Sequence, residues 1–266
     1  MVVRLKENDK DAIVSYISGE PEVTLFIYGD IESFGVEVPP VSLYRIGMWD
    51  AIVLFFRDNA CVYSKTGLFD TQAVAALIRE KKVMHVNGKE ADVRALSQSL
   101  SMKCRSTMMC RLEHLKDVPC KPFSTEVVRP LTKEDMKDNL RLAMDIDEFR
   151  DTYKGKDPAK EEMQMIDGLS HGDLRYGLFF GGKLCSVAGS TACNSQSAML
   201  VGVATRREER GKGYAQAVVS ALCADHFLKG RKFICLFWDN PKAWRLYEKL
   251  GFEKVAPYTM GTVQGS

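Results

Sequence analysis

The stretch AMLVGVATRREERGKGYAQAVVSALCADHFL, residues 198–228, decides how the second half of this chain folds. Its apolar beginning, residues 198–205, predicts a strand, and residues 216–228 have the apolar spacing of a helix. Gly211 and Gly213 therefore lie at a helix N-terminus, where the first backbone N–H groups lack partners and the helix dipole favours an anion. Glycine lets phosphate oxygens approach the backbone closely, so the stretch predicts a phosphate-binding loop.

Two common phosphate-binding motifs do not fit this loop. A Walker loop needs Ser or Thr after its lysine, but Gly213 follows Lys212. A dinucleotide-binding motif needs a third glycine where Gln216 stands. The remaining pattern is R-x-x-G-x-A, formed by Arg210, Gly213 and Ala215.

This pattern resembles the pyrophosphate-binding signature [QR]-x-x-G-x-[GA] of the GCN5-related N-acetyltransferases (GNAT), which use acetyl-CoA as cofactor. The surrounding VGVATRREERGKGYA resembles the family's fourth strand and loop, and FWDNPKAWRLYEKLGF resembles the segment that supplies its asparagine and tyrosine. The resemblance covers roughly residues 127–263. One departure is Arg207, where the family often has proline, which affects the rigidity of the loop more than its chemistry.

The resemblance implies a set of site residues. Tyr247 would be the catalytic general acid that protonates the departing CoA thiolate, and its ring would also pack on the sheet. The backbone N–H near Val203 would stabilise the oxyanion, and the strand around it would splay from the next strand to admit the pantetheine arm. The predicted cofactor-binding residues are Val201, Val203, Thr205, Arg210, Gly211, Lys212, Gly213, Tyr214, Ala215, Asn240, Ala243 and Tyr247.

Other roles follow from the residues themselves. Asn240 before Pro241 predicts a helix N-cap. The general base stays open between Asp147, Glu148 and His171, each of which also fits an ordinary surface position. His226 is interpreted as a buried or surface histidine of a helix.

Composition and charge exclude several classes of protein. The chain has 266 residues, is 45% hydrophobic and 27% charged, and has a net charge of +2. A net charge this small gives no strong electrostatic field that would mark nucleic acid or a membrane as the partner. No leader or membrane-spanning run is visible, which predicts a cytoplasmic protein. The cysteines and histidines lack metal-binding spacing, so no metal site is expected, and the thiols are interpreted as buried and reduced.

A weak internal repeat divides the chain. Residues 2–4 and 127–129 both read VVR, and each precedes a charged turn and an amphipathic helix, with a capping box predicted at Thr132 and Asp135. With a boundary in VPCKPFST, residues 118–125, the predicted domains are an N-terminal α/β domain over 1–120 and a catalytic domain over 126–266. The expected fold class is α/β (α+β), with a mixed, mostly antiparallel sheet flanked by helices.

Each half has its own predicted elements. In the first, residues 23–31, 50–58 and 60–65 are interpreted as strands or buried elements, residues 70–82 as a helix, and residues 101–112 are ambiguous. In the second, we expect helices over 147–153 and 159–169, a hairpin through Gly181 and Gly182, a buried strand over 232–238, a helix over 240–252 and a last strand over 253–263. GEPEVTLFIYGDIESFG, residues 19–35, resembles the N-terminal part of two-part acetyltransferases of Gram-positive bacteria. The first half would then be a degenerate, GNAT-like copy.

The resulting hypothesis is an acetyl-CoA-dependent N-acetyltransferase in which a primary amine attacks the thioester directly in a ternary complex. The alternatives are a non-catalytic acyl-CoA sensor, a covalent route through Cys223 or Cys235, and a nucleic-acid binder that uses RREERGKG and KGRK. The expected partner is a small-molecule or peptide amine, contacted by residues 145–158, and the expected state is a monomer or homodimer.

Overall fold

The computed structural model describes residues 1–118 and 125–264, so most of the predicted boundary segment, residues 119–124, lies outside the described residues. Contacts divide the chain into two compact units. The first comprises residues 1–110, 237–239 and 254–266, and the second comprises residues 111–236 and 240–253. The units therefore differ from the predicted domain bounds at the C-terminus, where residues from Lys254 onward belong with the first unit.

The elements alternate between strands and helices along the whole chain. Up to the boundary segment they are β1 (Val2–Arg4), α1 (Lys10–Ile17), α2 (Leu25–Phe34), β2 (Val41–Ile46), β3 (Ala51–Phe56), β4 (Asn59–Tyr63), α3 (Thr71–Lys81), β5 (His85–Lys89), α4 (Glu90–Leu96) and β6 (Met102–Leu112). After it they are β7 (Val127–Pro130), α5 (Met136–Met144), α6 (Arg150–Tyr153), α7 (Pro158–Ser170), β8 (Arg175–Phe180), β9 (Lys183–Thr191), β10 (Ser197–Thr205), α8 (Tyr214–Leu228), β11 (Phe233–Trp238), α9 (Pro241–Leu250) and β12 (Glu253–Val263).

The first unit has a mixed, mostly antiparallel sheet. β1, β2, β3 and β4 pair antiparallel in chain order, and β4 pairs parallel with β5. β12 then pairs antiparallel with β5, with Tyr258 opposite Lys89 and Thr262 opposite His85. This ladder explains why the last strand of the chain belongs to the first unit.

The second unit repeats this pairing order. β7, β8, β9 and β10 pair antiparallel in chain order, and β10 pairs parallel with β11. In both units helices lie between the first two strands and between the parallel strands. The shared pairing order supports the predicted relation between the two halves more strongly than the weak sequence repeat does.

The openings of the two units share a local device. Asp9 Oδ2 accepts a hydrogen bond of 2.8 Å from Lys6 N, and Asp135 Oδ2 accepts one of 2.9 Å from Thr132 N. Each aspartate thus holds the N–H of the residue that begins a short 3-10 turn before the first long helix of its unit. The predicted capping contact at Thr132 and Asp135 is confirmed.

Residues 23–31, interpreted as a strand or a buried element, lead into a buried helix, because α2 begins at Leu25. Ile27 and Ile31 are both buried and lie one helical turn apart, and Gly35 ends the helix with a φ of 79°. Packing of this turn decides between the two readings. The ambiguous residues 101–112 form β6.

Each unit has its own apolar core. In the first, the residues inside β2–β5 pack against α3, and Val53, Val62, Val74 and Ile78 are all buried. In the second, α5 and α7 cover one face of the sheet formed by β8–β10.

Candidate functional site

The predicted phosphate-binding loop joins β10 to α8. β10 ends at Thr205, a 3-10 turn follows over Arg207–Glu209, and α8 begins at Tyr214. Gly211 and Gly213 have φ values of 80° and 90°, the left-handed region in which other residues are strained. A Cβ built at either glycine meets no heavy atom within 4 Å. The glycines thus shape the loop and leave open space beside it.

Three backbone N–H groups of the loop have no hydrogen-bond acceptor among the described residues. Among the residues that the structure describes, none accepts a hydrogen bond from the N–H of Gly211, Lys212 or Gly213. The first helical bond of α8 runs from Ala217 N to Gly213 O at 3.1 Å, and no side chain caps the helix. Unpaired N–H groups at a helix start form an anion-binding site.

The cations of the loop are paired with acidic side chains. Arg210 donates to both carboxylate oxygens of Glu148, at 3.4 and 3.3 Å, and its Nε donates to Thr205 O at 3.2 Å. Lys212 Nζ lies 2.7 Å from Glu209 Oε2. Arg210, Lys212 and Glu148 are about half exposed and Glu209 is mostly buried, so an incoming phosphate can compete for the two cations from solvent.

The Tyr214 side chain turns inward from the loop. It is 4% exposed, and its hydroxyl donates to Glu126 Oε1 at 2.9 Å. Burial, followed by the Glu126 carboxylate, raises the pKa of Tyr214 to about 12. The ring therefore anchors the start of α8 to the interior of the second unit.

β10 carries a bulge before the loop. Its register against β9 shifts between Val201 and Ala204, and Gly202 has a φ of 62°. Gly202 and Val203 thus lie outside the regular ladder, as bulge residues do. The bulge falls where the family resemblance implies the oxyanion donor.

β10 and β11 separate beside the bulge. Their parallel pairing joins Ser197–Met199 to Phe233–Cys235, and among the described residues no later pair of the two strands continues it. β10 nevertheless runs on to Thr205. The strands part where the resemblance implies an opening for the pantetheine arm.

α9 carries the predicted acid. Asn240 Oδ1 accepts from Lys242 N at 3.0 Å, which confirms the predicted N-cap. Tyr247 is partly buried, and its ring meets Phe252 edge-on at a centroid distance of 5.7 Å. Ala243 lies one turn before Tyr247 and is also partly buried.

A side-chain contact joins α9 to α8. Lys249 Nζ donates to Gln216 Oε1 at 2.9 Å. Gln216 lies in the first turn of α8 after Gly213, and Lys249 lies two residues after Tyr247. This contact holds α9, which carries Tyr247, beside the N-terminus of α8.

A family model named GNAT acetyltransferase matches residues 173–260, which span the bulge, the loop, α8, β11 and α9. The chain carries a GNAT acetyltransferase domain. It is accordingly an acyltransferase, and acetyl-CoA, the acyl donor of the family, is its cofactor. Among curated proteins, no sequence relative is found.

Solved structures share the fold of the chain. A GCN5-related N-acetyltransferase from Kribbella flavida is 18% identical with a TM-score of 0.61, covering 82% of this chain and 88% of its own. A GCN5-related N-acetyltransferase-like protein from Streptococcus suis is 15% identical with a TM-score of 0.58, covering 97% and 100%. A tandem GNAT protein from the clavulanic acid biosynthesis pathway is 11% identical with a TM-score of 0.54, covering 99% and 98%. These likenesses fit a two-part arrangement and the predicted fold class.

Two further searches concern metal ions and membrane-spanning helices in the described residues. Within residues 1–118 and 125–264, no group of three or more His, Cys, Asp or Glu side chains could hold a metal ion. In the same residues, no helix has both the length and the apolar character needed to cross a membrane.

The three candidates for the general base differ in their surroundings. Glu148 is bound by Arg210, and hydrogen bonding to the backbone and to Arg210 lowers its pKa, so it is a weak base. Asp147 is paired with Arg207 and Arg150. His171 is exposed at the end of α7, where its Nδ1 lies 2.9 Å from Asp167 O.

Two further predictions concern buried groups. His226 is 0% exposed on α8, and burial lowers its pKa to about 3, so it is a neutral interior histidine. Cys223 and Cys235 are fully buried. Cys104 is exposed, so the interpretation of all the thiols as buried is wrong for this residue, which lies on β6.

Sequence reasoning missed three residues of the second unit that lie on the face covered by α5–α7. Arg175 on β8 lies across Gly189 on β9, with Tyr153 of α6 nearby. No motif marks these positions. The one available signal was a charged residue at the start of an otherwise apolar strand, directly opposite a glycine in the predicted hairpin.

Proposed function

We propose that the protein transfers the acetyl group of acetyl-CoA to a primary amine by direct attack in a ternary complex. The observation that carries this proposal is the start of α8, where Gly211, Lys212 and Gly213 hold unpaired N–H groups beside open space. The pyrophosphate of acetyl-CoA, the acyl donor, fits this anion-binding helix start.

The corresponding helix of the first unit supports the assignment to the second. α3 follows β4 as α8 follows β10, but Asp70 caps it, with Oδ1 accepting from Ala73 N at 3.0 Å. A carboxylate already fills the place that an anion would take. This difference supports acetyl-CoA binding in the second unit, and the first unit would have a structural role.

The donor would lie along the predicted residues. The loop from Arg210 to Ala215 binds the pyrophosphate, and the separated ends of β10 and β11 admit the pantetheine arm. Val201, Val203 and Thr205 would contact that arm from β10, and Asn240, Ala243 and Tyr247 from α9. The N–H near Val203, in the bulge, would meet the charge that develops on the thioester oxygen.

The chemistry needs one acid and one base. As the amine nitrogen bonds to the thioester carbon, the carbon–sulfur bond breaks, and Tyr247 gives its proton to the departing thiolate. The amine loses a proton to water or to a base such as Asp147, Glu148 or His171. Cys223 and Cys235 are fully buried, which disfavours a covalent acetyl-cysteine route.

The setting of the reaction follows from the thiols and the charge. No described cysteine forms a disulfide, which fits the reducing cytoplasm. The net charge of +2 supports a small-molecule or peptide amine, rather than a nucleic acid, as the acceptor, and the protein would act as a monomer or homodimer.

A panel of primary amines with release of free CoA thiol as the readout tests this function. We expect at least one amine to accelerate thiol release, with an initial rate that depends on the concentrations of both acetyl-CoA and the amine. Double-reciprocal plots of these rates should intersect, as they do for a ternary complex. Tight binding of acetyl-CoA without turnover on any amine would instead support a sensor. Parallel plots with a trapped acetyl-enzyme would favour the covalent route.

A further inference from the structure

Arg175 is a partly buried arginine of the second unit, and none of the described residues accepts a hydrogen bond from its guanidinium. Its Nε is inaccessible to solvent and has no partner, and no described residue accepts from its other guanidinium nitrogens. Burial lowers the pKa of Arg175, while the Asp173 carboxylate and the Tyr153 phenol act on it through space in the opposite direction. A buried guanidinium N–H without an acceptor is costly, so the arginine at this position points to an anion that its side chain binds.

The nearest carboxylate is already engaged. Burial raises the pKa of Asp173, the Cys193 and Thr191 side chains act on it in the opposite direction, and its Oδ2 lies against Gly168 of α7. Asp173 N also donates to Gly168 O at 3.0 Å. Asp173 therefore balances part of the charge of Arg175 from a distance without satisfying its donors.

A glycine creates the space in which the guanidinium lies. A Cβ built at Gly189 would be 2.8 Å from Arg175 Nη1 and 3.3 Å from its Cζ. The side chain therefore crosses β9 directly over Gly189, which faces Arg175 in the ladder. Any larger residue at this position would displace it.

The same row of the sheet leads to the bulge. Gly189 pairs with Arg175 on one side and with Val201 on the other, and Val201 immediately precedes the bulge residues Gly202 and Val203. Strands lie about 5 Å apart, and residues advance about 3.3 Å along a strand. The guanidinium is therefore on the order of 8 Å from the Val203 backbone, which leaves room for a ligand whose amine and carboxylate are a few bonds apart.

We infer that Arg175 binds the carboxylate of the acceptor, so that the acceptor is a small amine carrying a carboxylate group, such as a free amino acid. A guanidinium presents parallel N–H donors that match a carboxylate. The phenol of Tyr153, on α6 within the segment expected to contact the acceptor, can add a further donor. This inference rests on the proposed function, because it takes the bulge as the place of acetyl transfer.

The test compares amino acids with their amides as acceptors. For wild type we expect kcat/KM to be about 10- to 100-fold higher for the acid than for the amide, the range of a charged hydrogen bond. Arg175→Gln removes this preference while leaving the Kd for acetyl-CoA unchanged, and Arg175→Lys keeps part of it. Gly189→Ala displaces the side chain and gives the same loss as Arg175→Gln.

Arg129→Gln is the matched control, since it removes the same charge from the neighbouring strand β7, where Arg129 is paired with Asp135. This variant keeps the preference. Without ligand, Arg175→Gln melts at or above the wild-type temperature, because it removes an uncompensated charge. A clear loss of melting temperature would show a structural role and overturn the inference.

A binding measurement separates this inference from the proposed function. Calorimetry with an N-acetylamino acid and its methylamide needs no turnover. Tighter binding of the acid to wild type, lost in Arg175→Gln, supports carboxylate recognition even if no amine is acetylated. Equal binding of acid and methylamide to wild type, or a preference that survives in Arg175→Gln, overturns it.

Discussion

Arg210 of the predicted phosphate-binding loop donates to both carboxylate oxygens of Glu148, at 3.4 and 3.3 Å. The arginine of the loop is thus neutralised by an acid from the segment between α5 and α6. A bound pyrophosphate would have to take Arg210 from Glu148 or share it, so the pair opposes donor binding.

Replacing this acid should tighten donor binding. Glu148→Gln frees Arg210 and removes a negative charge near the predicted pyrophosphate site. We expect CoA to bind up to about fivefold more tightly at low salt, since an exposed ion pair contributes about 0–1 kcal/mol. Calorimetry at low and high salt measures the change, which salt should reduce. Glu208→Gln breaks an exposed pair with Lys183 and serves as the control. Unchanged or weaker CoA binding by Glu148→Gln would contradict the expectation.

Gly213 should be required for the loop. Gly213→Val strains a backbone with a φ of 90° and places a side chain in the open space beside the N–H donors. We expect the affinity for CoA to fall at least about tenfold, the loss of a charge-assisted hydrogen bond. Gly230→Val is the control, because Gly230 follows the other end of α8 with a φ of 85° and also faces open space. Equal CoA binding by the two variants would argue against the loop as the site.

Tyr247 should affect turnover and not donor affinity. Tyr247→Phe keeps the ring against Phe252 and removes the proton that the thiolate would take. We expect kcat to fall about 100-fold or more, the usual contribution of a general acid, with the Kd for acetyl-CoA nearly unchanged. Tyr176→Phe, which removes a hydroxyl that donates to Asp225, is the control. Wild-type turnover in Tyr247→Phe would remove this residue from the acid role.

Asp92 should make the first unit less stable as pH rises. The side chain is buried, Oδ2 accepts from Ser64 N at 2.9 Å, and Oδ1 has no partner. Burial raises its pKa from 3.8 to about 6, so the folded state binds the proton more tightly than the unfolded state. Its contribution to the free energy of unfolding is therefore present below about pH 4 and lost as pH rises through about 6.

Asp92→Asn tests this directly. The amide oxygen can still accept from Ser64, so we expect the variant to be more stable than wild type at pH 8, by on the order of 1–3 kcal/mol, and to lose the advantage at pH 4. Urea unfolding at both pH values measures the difference. Asp138→Asn, on the exposed surface of α5, should show no such crossover. A variant less stable than wild type at pH 8 would contradict the assignment.

His226 should have the opposite effect in the second unit. Both ring nitrogens are buried without partners, and burial lowers the pKa from 6.5 to about 3. The unfolded chain takes up the proton first, so stability falls as pH decreases from about 6.5 towards 3. His226→Leu should lose less stability than wild type between pH 7 and pH 4.5 in urea unfolding, whereas exposed His171→Gln should follow wild type. Parallel curves for His226→Leu and wild type would rule out this role.

Several helix starts and turns of the second unit could be predicted from local sequence. The glycines before α8, Asn240 at the start of α9 and the turn at Gly181 and Gly182 act through the backbone of their own segment, so their effect is visible without the rest of the chain. The helix at residues 25–34 stayed undecided between a strand and another buried element, because its type depends on packing against residues from elsewhere in the chain.

Residues close together in the chain are enough to predict the phosphate-binding loop, the order of strands and helices around it and the family that this order resembles. Three other features depend on the tertiary structure. It paired β12 with β5, set Glu148 against Arg210, and laid Arg175 across Gly189. These contacts join residues far apart in sequence, and their energies come from burial and charge pairing that exist only once the sheets have formed.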